Sequence, residues 1–180
     1  MTIQEIRIGE RRIGALIGKG GATKRKIEEK TGSTIKIDSE EGDVLIEGED
    51  AFGVLRAADV VTAIARGFSP ERAFVLFEDE DMAIEIIDLS EIDPSLKQQE
   101  RLKGRIIGKA GKGRQQIENM TKVEISVQGK TVTLIGMPEK LRTARAAIEM
   151  LINGAQHETV FSFLEKKRRE EREDMLGYYY

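Results

Sequence analysis

One stretch of the sequence occurs twice, and this repeat restricts the chain to folds built from two similar units. Residues 17–27 read IGKGGATKRKI, and residues 107–117, 90 positions later, read IGKAGKGRQQI. In each copy two glycines flank a lysine and one small residue, and a stretch that carries basic residues follows. A chain of 180 residues has room for two small domains, and the repeat predicts two.

Each copy has the features of a phosphate-binding turn. Glycine permits a positive φ in the turn, and without a Cβ it lets a sugar-phosphate backbone lie directly on the loop. A helix that begins at the second glycine carries about half a positive charge at its N-terminus, where its N–H groups are unpaired. A single Gly-x-x-Gly is a weak signal, but two copies in register indicate a shared binding function.

The charge of the chain is distributed in a way that supports this interpretation. The formal net charge is −3, which taken whole argues against a nucleic-acid binder. Residues 11–30, however, hold seven basic and two acidic residues, and residues 101–122 hold seven basic and one acidic. Residues 78–100 hold nine acidic residues and one lysine. Positive charge is therefore concentrated at the two glycine loops, with an acidic segment between them.

The composition limits the chemistry that the chain can perform. It has no cysteine and one histidine, which excludes disulfides, thiolate sites and zinc sites of several histidines. His157 is predicted to be an ordinary surface residue of a helix. No apolar run approaches the roughly twenty residues of a membrane span, and no signal-peptide pattern is present, so we expect a soluble, cytoplasmic protein. No cofactor and no metal are expected.

The hydrophobic pattern around each loop predicts the same series of elements. In the first copy the order is a strand over residues 3–8, a short helix, the loop, a helix over 21–31, strands over 34–38 and 44–46, and a long helix over 50–66. In the second copy the strands cover 83–89, 123–127 and 131–135, and the closing helix begins at Pro138. The buried face of the first long helix is predicted to be Ala51, Val54, Leu55, Ala58, Val61, Thr62 and Ala65.

The repeat continues beyond the closing helices. Gly67, Phe74 and Phe77 match Gly154, Phe161 and Leu164 at an offset of 87 residues. This predicts an extra C-terminal helix in each unit, with domains at residues 1–78 and 79–180. In the first unit Ser69 is predicted to be the N-cap of this helix and Pro70 its first residue. No flexible linker separates them, so a fixed tandem is expected. Residues 165–174 are predicted to extend the last helix, and residues 177–180 to be a disordered tail.

The loop and its neighbouring elements resemble the KH domain, whose Gly-x-x-Gly loop holds the backbone of about four nucleotides of single-stranded RNA. Two strands and a long helix follow the loop helix, which is the type I topology. The fold class is therefore predicted to be α+β, two tandem type I KH domains (β-α-α-β-β-α). The segments around Arg105 to Gly111 and Gln116 to Lys122 resemble the archaeal and eukaryotic small-subunit ribosome-assembly KH proteins.

That resemblance implies a non-enzymatic assembly factor that binds small-subunit pre-rRNA near its 3′ end and accompanies a PIN-domain endonuclease. Many KH domains have an aliphatic residue where this chain has Lys24 and Arg114, which indicates more contact with the RNA backbone and less with a base. The predicted RNA-binding residues are Arg12, Ile17, Gly18, Lys19, Gly20, Gly21, Lys24, Arg25, Arg105, Ile107, Gly108, Lys109, Ala110, Gly111, Lys112 and Arg114.

Three other functions are alternatives to RNA binding by both units. An RNA-cleaving or RNA-modifying enzyme lacks any cluster of acids, histidines or nucleophiles with suitable spacing. An RNA-decay or transcription protein would usually add an OB-type barrel, for which no length remains. A scaffold, in which one unit binds RNA and the other docks a protein through the acidic segment 78–100, stays open on the sequence.

Overall fold

The first unit contains three strands that form one antiparallel sheet against helices. The computed structural model describes residues 1–179, and the chain divides into two compact units, Met1–Ile84 and Glu85–Tyr180. In the first unit the strands are β1 (Thr2–Arg7), β2 (Thr34–Asp38) and β3 (Asp43–Gly48), and the helices are α1 (Glu10–Ile17), α2 (Ala22–Thr31), α3 (Ala51–Ala65) and α4 (Pro70–Ala73). The sheet order is β1-β3-β2. The predicted strand and helix order is therefore confirmed.

The second unit repeats this order with one additional helix. Its strands are β4 (Ala83–Asp88), β5 (Glu124–Gln128) and β6 (Thr131–Gly136), in the sheet order β4-β6-β5. Its helices are α5 (Leu89–Ile92), α6 (Leu96–Ile107), α7 (Lys112–Thr121), α8 (Pro138–Ile152) and α9 (His157–Gly177). The segment that has no counterpart in the first unit forms α5 and lengthens α6 at its N-terminus. Both units have the type I KH arrangement.

The core of each unit lies between the sheet and its helices. In the first sheet Ile35 pairs with Ile46, and both are almost completely buried. Ile125 and Leu134 form the equivalent buried pair in the second sheet. Side chains alternate between the two faces of a strand, so these pairs fix which face meets the helices. The loop helices α2 and α7 are anchored to the same cores through Ile27 and Ile117, whose side chains are fully buried.

The predicted buried face of α3 was partly wrong. Ala51 is exposed and Leu55 is 50% exposed, although both were assigned to that face. Ala57, Val60 and Ile64, which were not assigned to it, are fully buried. Apolar residues occupy nearly every side of this helix, so the spacing rule does not select one face. A close approach of α2 decides the rotation, since a methyl group on Gly53 would lie 2.1 Å from the carbonyl oxygen of Thr31.

The segments that follow α3 and α8 differ in length. Ser69 caps α4 as predicted, accepting a hydrogen bond from the Arg72 N–H at 3.3 Å, but this helix ends after one turn and continues as a 3₁₀ turn over Phe74–Phe77. The segment after α8 instead forms the 21-residue helix α9. The predicted extension over residues 165–174 is helical. None of the helices within residues 1–179 is long and apolar enough to cross a membrane. Tyr180, part of the predicted tail, lies outside the described residues.

Candidate nucleic-acid interface

The first glycine loop is a sharp turn held in the left-handed region. Gly18 ends α1 by donating its N–H to the carbonyl of Gly14 at 2.9 Å, and its own φ is 74°. Gly20 and Gly21 follow with φ values of 61° and 78°, and α2 begins at the next residue. Three positive φ values within four residues are strained for side chains other than glycine. The turn therefore explains why the sequence places glycines at these positions.

The second loop has the same backbone. Gly108 donates to the carbonyl of Gly104 at 3.0 Å, and the φ values of Gly108, Ala110 and Gly111 are 72°, 54° and 76°. Ala110 is thus a left-handed residue that carries a Cβ. The left-handed region costs an alanine about 1 kcal/mol relative to its usual conformations. The rest of the loop therefore imposes this shape on Ala110.

Both loops lead into helix N-termini that are open to an anion. Gly21 and Gly111 cap α2 and α7, and among the described residues no side chain hydrogen-bonds the cap of either helix. The N–H groups of Ala22 and Lys112, the first residues of the two helices, donate to the carbonyls of Lys19 and Lys109. The donors left for an anion are therefore the following N–H groups of the first turn, at the positive end of the helix dipole. Lys19 and Lys109 are exposed beside these N-termini. Each loop thus combines backbone donors with a mobile cation, which is the arrangement that binds phosphate.

A half-buried isoleucine lies directly before each loop. Ile17 and Ile107 are the last residues of α1 and α6, whereas Leu16 and Ile106, one position earlier, are fully buried in the cores. In each unit the first of these two consecutive residues therefore packs in the core, and the second lies at the edge of the loop. Ile17 and Ile107 can therefore offer apolar contact to a base whose phosphate lies on the loop.

The cations three residues after each loop are held by glutamates. The Lys24 ammonium lies 3.6 Å from Glu28, and Arg114 donates to Glu118 at 2.5 Å. The same two glutamates accept the backbone N–H groups of Ile35 and Ile125, both at 3.0 Å. Lys24 and Arg114 thus belong to a bridge between the loop helix and the second strand of the sheet. Their predicted contact with RNA stays a prediction, and it would compete with this ion pair.

The remaining basic residues fall into two groups. Arg25 braces the first loop, because its guanidinium donates to the Gly20 carbonyl at 2.5 Å, and Lys112 is exposed in the first turn of α7. Arg12 and Arg105 instead contact the chain itself. Arg12 donates to the carbonyls of Ile64 and Phe68 at 2.9 and 2.7 Å, at and beyond the end of α3.

Arg105 makes the corresponding contacts in the second unit, donating to the carbonyls of Leu151 and Ala155 at 2.9 and 2.6 Å. Carbonyls at a helix C-terminus have no partner within the helix, and a guanidinium satisfies them with two directed bonds. These contacts assign Arg12 and Arg105 a structural role that sequence reasoning missed. An RNA contact by either arginine stays a prediction.

His157 is also placed differently from the prediction of an ordinary surface residue. It is partly buried at the start of α9, and its ring lies against the second loop. A methyl group on Gly113 would lie 2.8 Å from the Nε2 atom of His157, so the glycine makes room for the ring. The sequence offered one signal for this contact, namely that Gly113 replaces the Thr23 of the first copy.

Comparison with known proteins agrees with this geometry. A family model described as "Eukaryotic type KH-domain (KH-domain type I)" matches residues 83–169, and a KH-domain model matches residues 3–63. A KH domain-containing protein of Methanocaldococcus jannaschii is 42% identical over 93% of this chain and 75% of its own length. The pre-rRNA-processing protein PNO1 of Chaetomium thermophilum is 36% identical over 109 residues. This aligned segment is 59% of this chain and 42% of that protein.

A solved structure extends the comparison to three dimensions. The crystal structure of an a/eIF2alpha–aDim2p–rRNA complex from Pyrococcus horikoshii contains a chain that is 44% identical to this one, with a TM-score of 0.86. The match covers 94% of this chain and 95% of that chain. The match therefore includes most of both units. The chain belongs to the PNO1/Dim2 family of type I KH-domain proteins.

Proposed function

We propose that the protein binds unpaired RNA of the small-subunit ribosomal precursor through both glycine loops, as an assembly factor without catalytic activity of its own. The observation that carries this proposal is the repeated loop geometry. Two turns with matching positive φ values each lead into an uncapped helix and present an exposed lysine. The names of the relatives, a pre-rRNA-processing protein and a complex with rRNA, support the choice of RNA.

Finer parts of the proposal come from the resemblance. They are binding near the 3′ end of the small-subunit RNA and a PIN-domain endonuclease as partner. A cytoplasmic location is the expectation from the sequence pattern. The proposal of a role without catalysis is supported by the match to KH-domain models and by a relative named as a pre-rRNA-processing protein. The loops instead offer binding groups, namely backbone N–H groups, lysines and half-buried isoleucines.

The test is a titration of overlapping unpaired fragments of the small-subunit precursor RNA. The wild type should bind a fragment near the 3′ end, and a hairpin stem of the same composition should bind much more weakly, because bases in a stem cannot reach the groove beside the loop. Lys109→Asp/Ala110→Asp should abolish most of this affinity. Equal affinity for the stem and the unpaired strand, or no effect of the loop substitutions, would contradict the proposal.

A charge-matched control separates the loop from general electrostatics. Ser162→Asp/Lys166→Asp changes the net charge by the same −3 on exposed positions of α9. This control should retain the affinity of the wild type for the fragment. The wild-type affinity should also fall with salt, with a slope of log K against log salt of about −0.7 for each phosphate bound on a single strand.

A second candidate function is protein docking by the second unit. Ile86, Ile92 and Leu96 are 38%, 47% and 78% exposed within the acidic segment 78–100. Exposed apolar residues surrounded by carboxylates fit a partner segment with apolar and basic residues. The complex with a/eIF2alpha shows that a relative assembles with a protein as well as with rRNA. Ile92→Asp/Leu96→Asp should weaken such a partner's binding and leave RNA binding unchanged, whereas reduced RNA binding would contradict this assignment.

A further inference from the structure

A pocket of about 280 Å³ lies between the second glycine loop and the start of α9. We call it the α9 pocket. Its walls are Gly108 and Gly113, with the side chains of Lys109, Lys112, Gln116, His157 and Phe161. Its volume is near the lower end of the range of ligand pockets, about 300–1,000 Å³. The pocket is therefore large enough for a small planar group, and it adjoins the loop proposed to bind phosphate.

Two aromatic rings form one side of the α9 pocket. His157 and Phe161 are four residues apart on α9, so they share a face, and their ring centroids are 5.9 Å apart. The Nε2 atom of His157 is buried against the glycines and has no hydrogen-bond partner among residues 1–179. A buried nitrogen without a partner is unfavourable, so no hydrogen bond of Nε2 holds the ring against the glycines. The imidazole is tilted by 54° from the Phe161 ring and forms a second wall of the pocket at an angle to it.

The first unit shows what a closed version of this site looks like. Phe74 corresponds to Phe161, and Lys26 corresponds to Gln116. The Lys26 ammonium lies 4.5 Å from the centroid of the Phe74 ring, which also stacks on Phe77 at 5.7 Å. The first ring is thus covered by the chain's own side chains. In the second unit the neutral Gln116 replaces the lysine and lies at the rim of an open pocket.

The rim of the α9 pocket has the chemistry of a nucleotide site. Lys109 and Lys112 are exposed cations on the side of the loop, and the Gln116 amide can both donate to and accept from the edge of a base. Bases stack on aromatic side chains with little dependence on sequence. The pocket residues Lys112 and Gln116 lie on the opposite side of α7 from Arg114 and Glu118, which contact β5.

We propose that the α9 pocket holds one unpaired base of an RNA strand that crosses the second loop, while the adjoining phosphates lie on Lys109 and Lys112. The inference rests on the proposed function. It extends the footprint of the second unit by one nucleotide beyond the about four that a KH unit holds. The base stacks on Phe161, the tilted ring of His157 closes one side of the pocket, and the Gln116 amide contacts the edge of the base.

The test uses the shortest fragment that the titration above identifies, lengthened by one nucleotide at a time at either end. The added nucleotide carries 2-aminopurine, whose fluorescence is quenched by stacking. At one of the two ends of the fragment, the first added nucleotide should raise the affinity for the protein about tenfold, and its fluorescence should be quenched on binding. Phe161→Leu, which removes the aromatic face, and Gln116→Lys, which imitates Lys26 and covers the ring, should both abolish this gain.

Gln116→Lys has a matched control in Gln115→Lys, at the neighbouring exposed position. Both variants add the same positive charge, so simple electrostatics predicts that both bind RNA more tightly. The proposal predicts instead that Gln116→Lys loses the tenfold gain and Gln115→Lys keeps it. Equal behaviour of the two variants, or quenching that persists in Phe161→Leu, would overturn the proposal.

The loop substitutions separate this inference from the proposed function. If Lys109→Asp/Ala110→Asp abolishes binding of every fragment while the two pocket variants change nothing, the α9 pocket is not a nucleotide site and the proposed function stands. If no fragment binds the wild type, both are overturned. Free adenosine monophosphate should not compete with the lengthened RNA at concentrations that leave the shorter fragment bound. If free adenosine monophosphate instead displaces only the added nucleotide from the α9 pocket, the pocket is a site for free nucleotides and the proposal is overturned.

Discussion

The two glycine loops share one backbone shape but are supported by different side chains. In the first unit a methyl group on Gly18 would lie 2.3 Å from the Oγ1 atom of Thr23, so the threonine fills the space behind the loop. In the second unit Gly113 replaces this threonine, and the ring of His157 occupies the region instead. The shape of the turn is therefore set by the backbone, and its neighbours need only fill the volume behind it.

The arginine contacts differ in the same way. Arg12 and Arg105 donate to carbonyls at matching positions, because Ile64 and Phe68 correspond to Leu151 and Ala155 at the offset of 87. The arginines themselves are 93 positions apart, however, whereas the loops are 90 apart. The difference of three residues is about one helical turn, which a long side chain can span. A guanidinium binds these carbonyls in both units, although the arginine that carries it occupies a different position relative to the loop in each unit.

The largest expected effect comes from breaking either loop in the presence of an RNA that can reach both. RNAs with two unpaired segments and spacers of varied length should show an affinity optimum, because binding at one site raises the effective concentration at the other. Lys19→Asp/Gly20→Asp and, separately, Lys109→Asp/Ala110→Asp should each remove the optimum and weaken binding about a hundredfold. Titration against each spacer length measures this.

Thermal stability is the companion measurement for these loop variants. Lys109→Asp/Ala110→Asp adds no new Cβ and should change stability by about 0.5 kcal/mol or less. Lys19→Asp/Gly20→Asp places a Cβ at φ 61° and should lower stability by up to about 1 kcal/mol, with the fold retained. If only one variant removes the optimum, then one loop alone binds RNA, and the scaffold alternative is favoured for the other unit.

The next largest expected effect concerns the contribution of Arg12 to the stability of the fold. Arg12→Met removes two charge-assisted hydrogen bonds to the carbonyls of Ile64 and Phe68 and should lower the free energy of unfolding by about 3 kcal/mol. Arg11→Met, at the adjacent exposed position, is the control and should change it by about 0.5 kcal/mol or less. Urea denaturation measures both. A stable Arg12→Met variant that binds RNA weakly would support the predicted RNA contact instead.

A smaller effect should appear when the second loop is given the residue of the first. Gly113→Thr places a Cβ 2.8 Å from the Nε2 atom of His157, and such overpacking should cost about 2 kcal/mol. Adding His157→Ala removes the ring and should restore most of that loss. The four free energies of unfolding form a double-mutant cycle. An equal cost of Gly113→Thr with and without His157 would show that the ring is not the reason for the glycine.

The smallest effect concerns the one left-handed alanine of the loops. Ala110→Gly relieves the strain of a Cβ at φ 54°, so the free energy of unfolding should rise by up to about 1 kcal/mol. Gly20→Ala makes the opposite change in the first loop and should lower it by a similar amount. Paired denaturation curves of the two variants measure these changes. Changes of the same sign in both variants would contradict a common backbone shape.

The sequence by itself determined the features that depend on local chemistry. The 90-residue repeat predicted two units, and alternation and helical spacing predicted every strand and the main helices in order. Glycine at positions 18, 20 and 21 predicted left-handed turns, because few other residues adopt a positive φ without strain. Pro138 and Ser69 marked helix starts that the structure shows. Each of these signals lies within a few residues of the feature that it predicts.

The tertiary structure decided the features that depend on contacts between distant residues. Arg12 and Arg105 lie 46 to 56 residues from the carbonyls that they contact, and His157 lies 44 positions after Gly113. No periodicity or motif encodes such pairs, because each partner is acceptable by itself in many places. The buried face of α3 was decided in the same way, by the approach of Thr31 to Gly53. Packing in three dimensions determines which of many possible residue pairs are in contact. The α9 pocket is formed by such distant residues, so it could be identified only from the structure.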